Sequence, residues 1–366
     1  MSTVGTLVVG GGVVGLGIAW KLAEAGEPVT VLERDAEGAP PSAAAWGAGG
    51  MLAPLSEAGF DEPEVLALGR ASLELYPRWV EELEAASGES VGYRTEGTLL
   101  AALDRDDAAW LERQHRYQES LGLPTEWLSG AELLEREPHL APSVVAGVYS
   151  AADHQVDGRR MWRALRTAFE RAGGQFVAGT EVLRIAHEGG RARGAVVRGR
   201  DGEEERMEAD RVVVCAGAWT RLLMREGLPP EAVPPIRPVK GQLLALGTTE
   251  LLRPSHVVRT RRVYLVPKQD GRLLVGATVE EMGFDRRLTA GGVFELLRDA
   301  WEAMPGIYDL PLVESWAGFR PASRDNAPVL GGTPLEGLFV ATGHYRNGIL
   351  LTPITAHAVR ELLLEG

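Results

Sequence analysis

Cysteine is almost missing from this chain of 366 residues: Cys215 is the only one. That excludes an intramolecular disulfide and a cysteine-based metal cluster. Lysine is scarce, with Lys21, Lys240 and Lys268 set against 35 arginines (38 basic residues less these three). Asparagine is scarce too, a bias that fits either genome composition or heat adaptation. No run of about 18 apolar residues occurs, so no membrane span is expected. The first strand starts within about five residues of Met1, which leaves no room for a signal peptide and sets the expectation of a cytoplasmic protein. Positive charge is not in excess. A net charge of −13 argues against nucleic acid or anionic lipid as a partner, though not against a local basic pocket for an anionic substrate. No Ser-His-Asp, Cys-His or metal-ligand cluster is visible, and no metal is expected. The seven histidines are scattered; His115, His139 and His187 fall in polar stretches and are expected to be solvated.

What is present is the composition of a soluble globular protein, 45% apolar and 24% charged. The length suits two domains or one large one. Residues 6–9 are a short apolar run closed by Gly10-Gly11-Gly12. Residues 13–25 then read as a helix stopped by Gly26, and residues 29–32 as a second buried strand ending at Glu33. This βαβ opening predicts a parallel sheet. Helices are predicted over residues 63–86, 106–121, 159–172, 290–304 and 349–364, with Ser129 and Glu132 spaced as a capping box before a short helix. Strands and polar turns fill residues 176–215, with turns at Gly189-Gly190 and Asp201-Gly202, and residues 242–278 read as an antiparallel meander.

The expected fold is therefore α/β, or α+β taken as a whole. A Rossmann-like dinucleotide domain made of residues 1–85, 147–227 and 311–366 is joined to a substrate domain made of residues 86–146 and 228–310. The second domain carries a mixed, largely antiparallel sheet with flanking helices.

Gly10-x-Gly12-x-x-Gly15 follows a strand and opens a helix. Gly10 permits the tight turn, Gly12 lets backbone approach a pyrophosphate, and Gly15 lets helix and strand pack closely. The helix start offers N–H groups and a positive dipole end to phosphate. Glu33 can accept from both ribose hydroxyls of an adenosine. A lone glycine triplet is weak, but here strand, glycines, helix, strand and acid come in order. Two features favour FAD over NAD. No second fingerprint exists for a nicotinamide partner, and the segment from Gly343 to Gly348 lies between a buried strand and a final helix. Such a helix start can set N–H groups against a flavin ring and stabilise negative charge on reduction.

Several blocks together carry a resemblance. They are Val8-Val9-Gly10-Gly11-Gly12-Val13-Val14-Gly15, Gly49-Gly50-Met51-Leu52-Ala53-Pro54, Arg237-Pro238-Val239-Lys240-Gly241-Gln242, Tyr264-Leu265-Val266-Pro267, Val275-Gly276-Ala277-Thr278, Trp316-Ala317-Gly318-Phe319-Arg320-Pro321, and the run from Gly343 to Leu351. In this order they resemble the D-amino-acid-oxidase superfamily of FAD-dependent oxidoreductases, and within it the glycine oxidase branch of the thiamine (thiazole) pathway. The resemblance implies oxidation of glycine by O2 to an imine, which hydrolyses to glyoxylate and ammonia, with H2O2 formed. It implies noncovalent FAD, a homo-oligomer, and hand-over of the imine to a thiazole synthase.

By the same resemblance Arg320, Tyr264 and Arg346 bind the substrate. For Arg320 the chemistry agrees, because a guanidinium fork pairs bidentately with a carboxylate. The plainer alternatives are a surface ion pair for Arg320, core packing for Tyr264 and a helix-start residue for Arg346. FAD contacts are expected from Gly10, Gly12, Val13, Val14, Gly15, Glu33, Arg34, Ala44, Ala45, Gly49, Gly50, Met51 and Val182. They are also expected from His344, Tyr345, Arg346, Asn347, Gly348, Ile349 and Leu350. The chain departs from the family pattern at Ala44 and Ala45, where relatives often carry hydroxyls, and at Arg262 and Val279, which bear on the size and charge of the pocket. No residue is expected to act as general base, because hydride transfer needs a neutral amine and orientation rather than a strong protein base. Three other readings stay open: a dehydrogenase with another electron acceptor, an oxidase of D-amino acids, sarcosine or proline, and a flavoprotein without enzymatic activity.

Overall fold

The computed structural model describes residues 4–35 and 41–365. Strands that are apolar on both faces must be covered on both sides, which places them inside a parallel sheet. Val29–Glu33 is buried at every position. It pairs in parallel with Val4–Val9, which pairs in parallel with the end of Glu204–Val214. Six strands follow in the order Val329–Gly332, Leu338–Thr342, Glu204–Val214, Val4–Val9, Val29–Glu33 and Gln175–Ala178. Among these six only Val329–Gly332, at the edge, runs antiparallel to its neighbour. Glu204–Val214 also extends beyond the sheet to pair with Arg191–Arg198, which turns back onto Glu181–Glu188. That turn holds Gly189 and Gly190 at φ 58° and 77°, a hairpin conformation that glycine enters without steric cost.

Four helices cover this sheet. Val13–Glu24, Pro63–Ser87, Gly158–Arg171 and Thr352–Leu364 share one apolar core. Within it Trp20 and Trp79 meet edge to face at 5.0 Å. Asp157 caps Gly158–Arg171 by accepting from the N–H groups of Arg159 and Arg160, the role short oxygen side chains fill at helix starts.

The second sheet runs Leu312–Ala322, Arg237–Gly247, Arg272–Gly276, Tyr264–Pro267, Val257–Arg259, Thr98–Ala102, Ala146–Ser150 and Thr125–Ser129. Val257–Arg259 and Thr98–Ala102 are parallel, and the other pairings are antiparallel. Helix Ala290–Ala303 lays Leu296, Ala300 and Ala303 on its core. The capping box at Ser129 and Glu132 forms as expected.

The structure departs from the sequence reading in five places. Ala146–Ser150 and Leu312–Ala322 are strands of the second sheet, so the boundary expected at 147 cuts a strand and that expected at 311 misassigns one. Both are half-apolar runs beside segments of the first sheet, five and eleven residues long, and their patterning does not say which sheet will pair with them. The closing helix begins at Thr352 rather than 349, after a tight turn at Tyr345–Asn347. Pro353 sits in its first turn, where a missing N–H costs nothing. His115 is buried rather than solvated. Leu111, Gln114, His115 and Gln118 form the inward stripe of helix Arg105–Ser120, and the His115 ring meets Thr125 Oγ1 at 3.1 Å. His139 is half-buried, while His187 is exposed. Among the described residues no helix is long and apolar enough to cross a membrane.

Candidate active site

A cavity of about 840 Å³ runs from the start of helix Val13–Glu24 to the face of the second sheet. Its first half is made mostly of backbone. Gly10 has φ 110°, and a Cβ there would lie 2.5 Å from the Cys215 carbonyl oxygen. A Cβ on Gly15 would lie 2.1 Å from the Gly10 carbonyl oxygen, whereas one on Gly12 meets nothing within 4 Å. So Gly10 and Gly15 are required by the turn itself, and Gly12 faces open space in the cavity. Gly12 is the N-cap of the helix and makes no side-chain cap, which leaves the first N–H groups free for an anion. The Glu33 carboxylate is buried and accepts from the N–H of Gly11 at 2.8 Å and of Asp35 at 2.9 Å. Burial raises its pKa against those two bonds. Each oxygen keeps a lone pair for a ribose hydroxyl.

The second half is made of side chains. Tyr264 stands opposite Gly276 on the neighbouring strand, and a Cβ at Gly276 would lie 2.4 Å from its hydroxyl. Burial pushes the Tyr264 pKa up to about 12, so it remains a proton donor. The Arg320 guanidinium lies over Gly241, where a Cβ would come within 2.6 to 2.9 Å of it. Its Nη1 donates to the carbonyls of Lys240 at 3.3 Å and Thr278 at 3.1 Å. These carbonyls are fixed in turn, since buried Lys240 pairs with Glu280 at 3.1 Å and the Gln242 N–H donates to Thr278 Oγ1 at 2.8 Å.

The other arginines along the cavity already have carboxylates. Arg34 lies beside Asp35 and stacks on Trp219, Arg184 and Arg198 share Glu204, and Arg261 reaches Asp107. Arg262 pairs with Asp299 and Glu302. Arg259 and Arg346 both meet Glu57, and Arg346 also meets Glu62. Among the described residues Arg320 is the one cavity arginine for which no carboxylate lies within ion-pair distance.

The structure brings most of the expected residues to one wall or another of this cavity. Val13, Val14, Arg34, Ala44, Ala45, Gly49, Gly50, Met51 and Val182 line it, as do the residues from His344 to Ile349. Gly15 and Leu350 do not. Gly15 is a packing position, and Leu350 belongs to the helical core, its carbonyl accepting from Ser72 Oγ at 2.6 Å. Arg346 reaches the cavity with its charge already shared by Glu57 and Glu62. Burial opposes that charge, but the two carboxylates outweigh it and raise the pKa. His344 is buried and its pKa is lowered to about 4, so it is neutral, with Nε2 3.0 Å from Thr355 Oγ1. Arg262 adds no free charge, and Val279 is 67% exposed. Glu57 and Arg259 were not expected. Arg259 is the charge at the end of an apolar three-residue strand, which was its only signal. Lys268 was missed as well: its buried Nζ donates to the Gly49 and Val156 carbonyls at 2.7 and 2.8 Å and pins the Gly49-Gly50 segment.

The model of the DAO family, described as FAD dependent oxidoreductase, matches residues 6–362. The chain belongs to this family. It is 37% identical over 359 residues to the glycine oxidase of Geobacillus kaustophilus, covering 97% of this chain and 92% of that protein. It is 36% identical over 362 residues to the bifunctional protein ThiO/ThiG of Trichormus variabilis, covering 98% of this chain but 52% of that one. The chain thus spans about half the length of the bifunctional relatives. Among solved structures, the crystal structure of G. kaustophilus glycine oxidase superposes with TM-score 0.88 at 35% identity, over 100% of this chain and 95% of that one. Iminodiacetate oxidase from Chelativorans sp. BNC1 superposes with TM-score 0.85 at 27% identity, over 98% and 95%.

As a member of this family the protein is an FAD enzyme, and the first half of the cavity fits that cofactor. The open face of Gly12 and the uncapped helix start would take the pyrophosphate, and Glu33 the ribose. Cys215 is the only thiol; it is buried, and burial pushes its pKa up to about 12. It has none of the thiolate character that covalent attachment requires.

Proposed function

We propose that the protein oxidises glycine, and other small amino acids, with O2. Glycine, water and O2 give glyoxylate, ammonia and H2O2, by way of an imine released to water. The observation that carries this reading is Arg320, whose charge is unpaired among the described residues and which lies in one cavity with a Tyr264 hydroxyl held protonated by burial. A carboxylate can take two charge-assisted bonds from the guanidinium and one from the tyrosine. When bound, FAD supplies the hydride acceptor and passes the electrons to O2. The side chains anchor the carboxylate, hold the substrate at a fixed angle, and leave the amine proton to solvent. Orientation of this kind supplies much of a rate enhancement without a protein base. The name of the relative, glycine oxidase, supports glycine as substrate, and delivery of the imine to a thiazole synthase rests on the resemblance of the sequence. A homo-oligomer, which rests on the resemblance of the sequence, and a cytoplasmic location, which rests on the early first strand and the lack of a long apolar run, complete the proposal.

The test is peroxide production by FAD-saturated protein with glycine, sarcosine, D-alanine, D-proline and L-alanine. Peroxide with glycine as a leading substrate is expected. Reduction of a dye without peroxide would make the protein a dehydrogenase, and peroxide only with bulkier amines would change the substrate.

A further inference from the structure

Beside the unpaired Arg320 the cavity holds two guanidinium groups, Arg259 and Arg346, that share the carboxylate of Glu57. Arg259 is the direct cross-strand partner of Tyr264. Side chains so paired lie on one face of a sheet with Cβ atoms about 5 Å apart. Arg346 reaches the same cavity from the turn Tyr345–Asn347 of the first half. Glu57 lies between them, with Oε1 3.3 Å from Arg259 Nη1 and Oε2 3.2 Å from Arg346 Nε. The pairing with Arg259 is incomplete, because the buried Arg259 Nη1 makes no hydrogen bond of good geometry. Arg346 has a second carboxylate in Glu62, at 2.9 Å; Arg259 has no other among the described residues. The Tyr264 hydroxyl, raised chiefly by burial, also feels Arg320, Glu57 and Arg259, so all four groups share one electrostatic neighbourhood.

We propose that Glu57 is a specificity-determining residue: by covering Arg259 and Arg346 it restricts the site to amino acids with one carboxylate and rejects those with a second. The inference rests on the reading that Arg320 anchors the first carboxylate. A substrate with a second carboxylate, on its nitrogen substituent or side chain, would bring that group toward Glu57 and meet like charge. Glycine, or an amine with an uncharged substituent, meets no such opposition. Specificity of this kind comes from repulsion built against the wrong ligand rather than from new attraction toward the right one. Replacing Glu57 with glutamine keeps its size and one oxygen acceptor but removes the charge, and so uncovers Arg259.

N-methylglycine and iminodiacetate are a matched pair, both secondary amines, the second with one more carboxylate. Their affinities for FAD-saturated protein are taken from the concentration dependence of the rate of anaerobic flavin reduction, or, for a ligand that is not oxidised, from its inhibition of that reduction, alongside kcat/KM for each. The wild type is expected to prefer N-methylglycine. In E57Q the ratio of iminodiacetate to N-methylglycine affinity is expected to rise by about tenfold or more, as relief of a like-charge contact predicts. In the double variant E57Q/R259Q most of that rise is expected to be lost. An unchanged ratio in E57Q would overturn the proposal, as would a rise that R259Q leaves intact. Should E57Q fail to fold, the wild type still decides, since equal affinity for the two ligands would also overturn it. A separate variant, R320M, distinguishes the underlying reading: if it binds N-methylglycine as the wild type does, Arg320 is not the anchor and both readings fall. If R320M loses binding but E57Q leaves the ratio unchanged, only the role of Glu57 fails.

Discussion

The two halves of the cavity bind by different means. The nucleotide half uses backbone: glycines that give up their side chains, a helix start that gives up its cap, and one carboxylate two strands in. These determinants lie between Gly10 and Glu33, though other segments also line this half. The proposed substrate half would use side chains drawn from Glu57, Arg259, Tyr264, Arg320 and Arg346, which meet only when the sheets assemble. The two halves are therefore fragile in different ways. A change in the first half removes the cofactor or the fold. A change in the second alters affinity and preference while the cofactor stays in place.

The largest effects are expected in the backbone half, and two glycines separate folding from cofactor binding. Gly15→Ala puts a Cβ 2.1 Å from the Gly10 carbonyl and is expected to yield insoluble or poorly melting protein. Gly12→Ala points into open space, so its apoprotein is expected to fold, as far-ultraviolet dichroism would show, but to be isolated without yellow colour. Coloured Gly12→Ala protein would show that the cofactor does not depend on close backbone approach at Gly12.

In the side-chain half, Arg320→Met is expected to lower kcat/KM for glycine by about a hundredfold or more, from loss of roughly 3 kcal/mol of buried charge pairing. FAD content, read as the ratio of 450 nm to 280 nm absorbance, is expected to be retained.

His344 lies where the halves meet, and its effect is on stability. Its pKa is lowered to about 4 by burial, below its value of about 6.5 in an unfolded chain. Above that value neither state binds the proton, so stability is unaffected. As pH falls from about 6.5 toward 4 the unfolded state binds the proton and the folded state does not, and stability drops by roughly 3 kcal/mol. The melting temperature is expected to fall across that window, and less steeply in His344→Gln.

Tyr264→Phe is expected to produce the smallest change, about tenfold in KM for the loss of one hydrogen bond to a charged group, with kcat less affected. A larger fall in kcat than in KM would mean that Tyr264 does more than hold the carboxylate.

The same contrast explains what could be read from the sequence. The dinucleotide half was legible because its determinants are local: Gly10, Gly12, Gly15 and Glu33 keep fixed spacings set by one turn, one helix and one strand. Tyr264 and Arg320 could be named only through the resemblance, since a strand tyrosine and an arginine beside aromatics have many structural uses. Glu57 and Arg259 were not legible, because their meaning comes from cross-strand pairing and from which charges remain unpaired after folding. His115 was misread for a related reason: its helix is polar in composition, and its inward face shows only once the sheet beneath it is in place. The strands Ala146–Ser150 and Leu312–Ala322 carry no local mark of the sheet they join. The start of the last helix was placed three residues early because the residues from Ile349 to Leu351 are apolar enough to pass for its first turn.

Arg320 as the carboxylate anchor is tested most directly by anaerobic flavin reduction with glycine and with glycinamide, which lacks the carboxylate, in wild type and Arg320→Met. The wild type is expected to prefer glycine strongly, and the preference is expected to collapse in the variant, with FAD content unchanged. A variant that keeps the wild-type preference for glycine would contradict it.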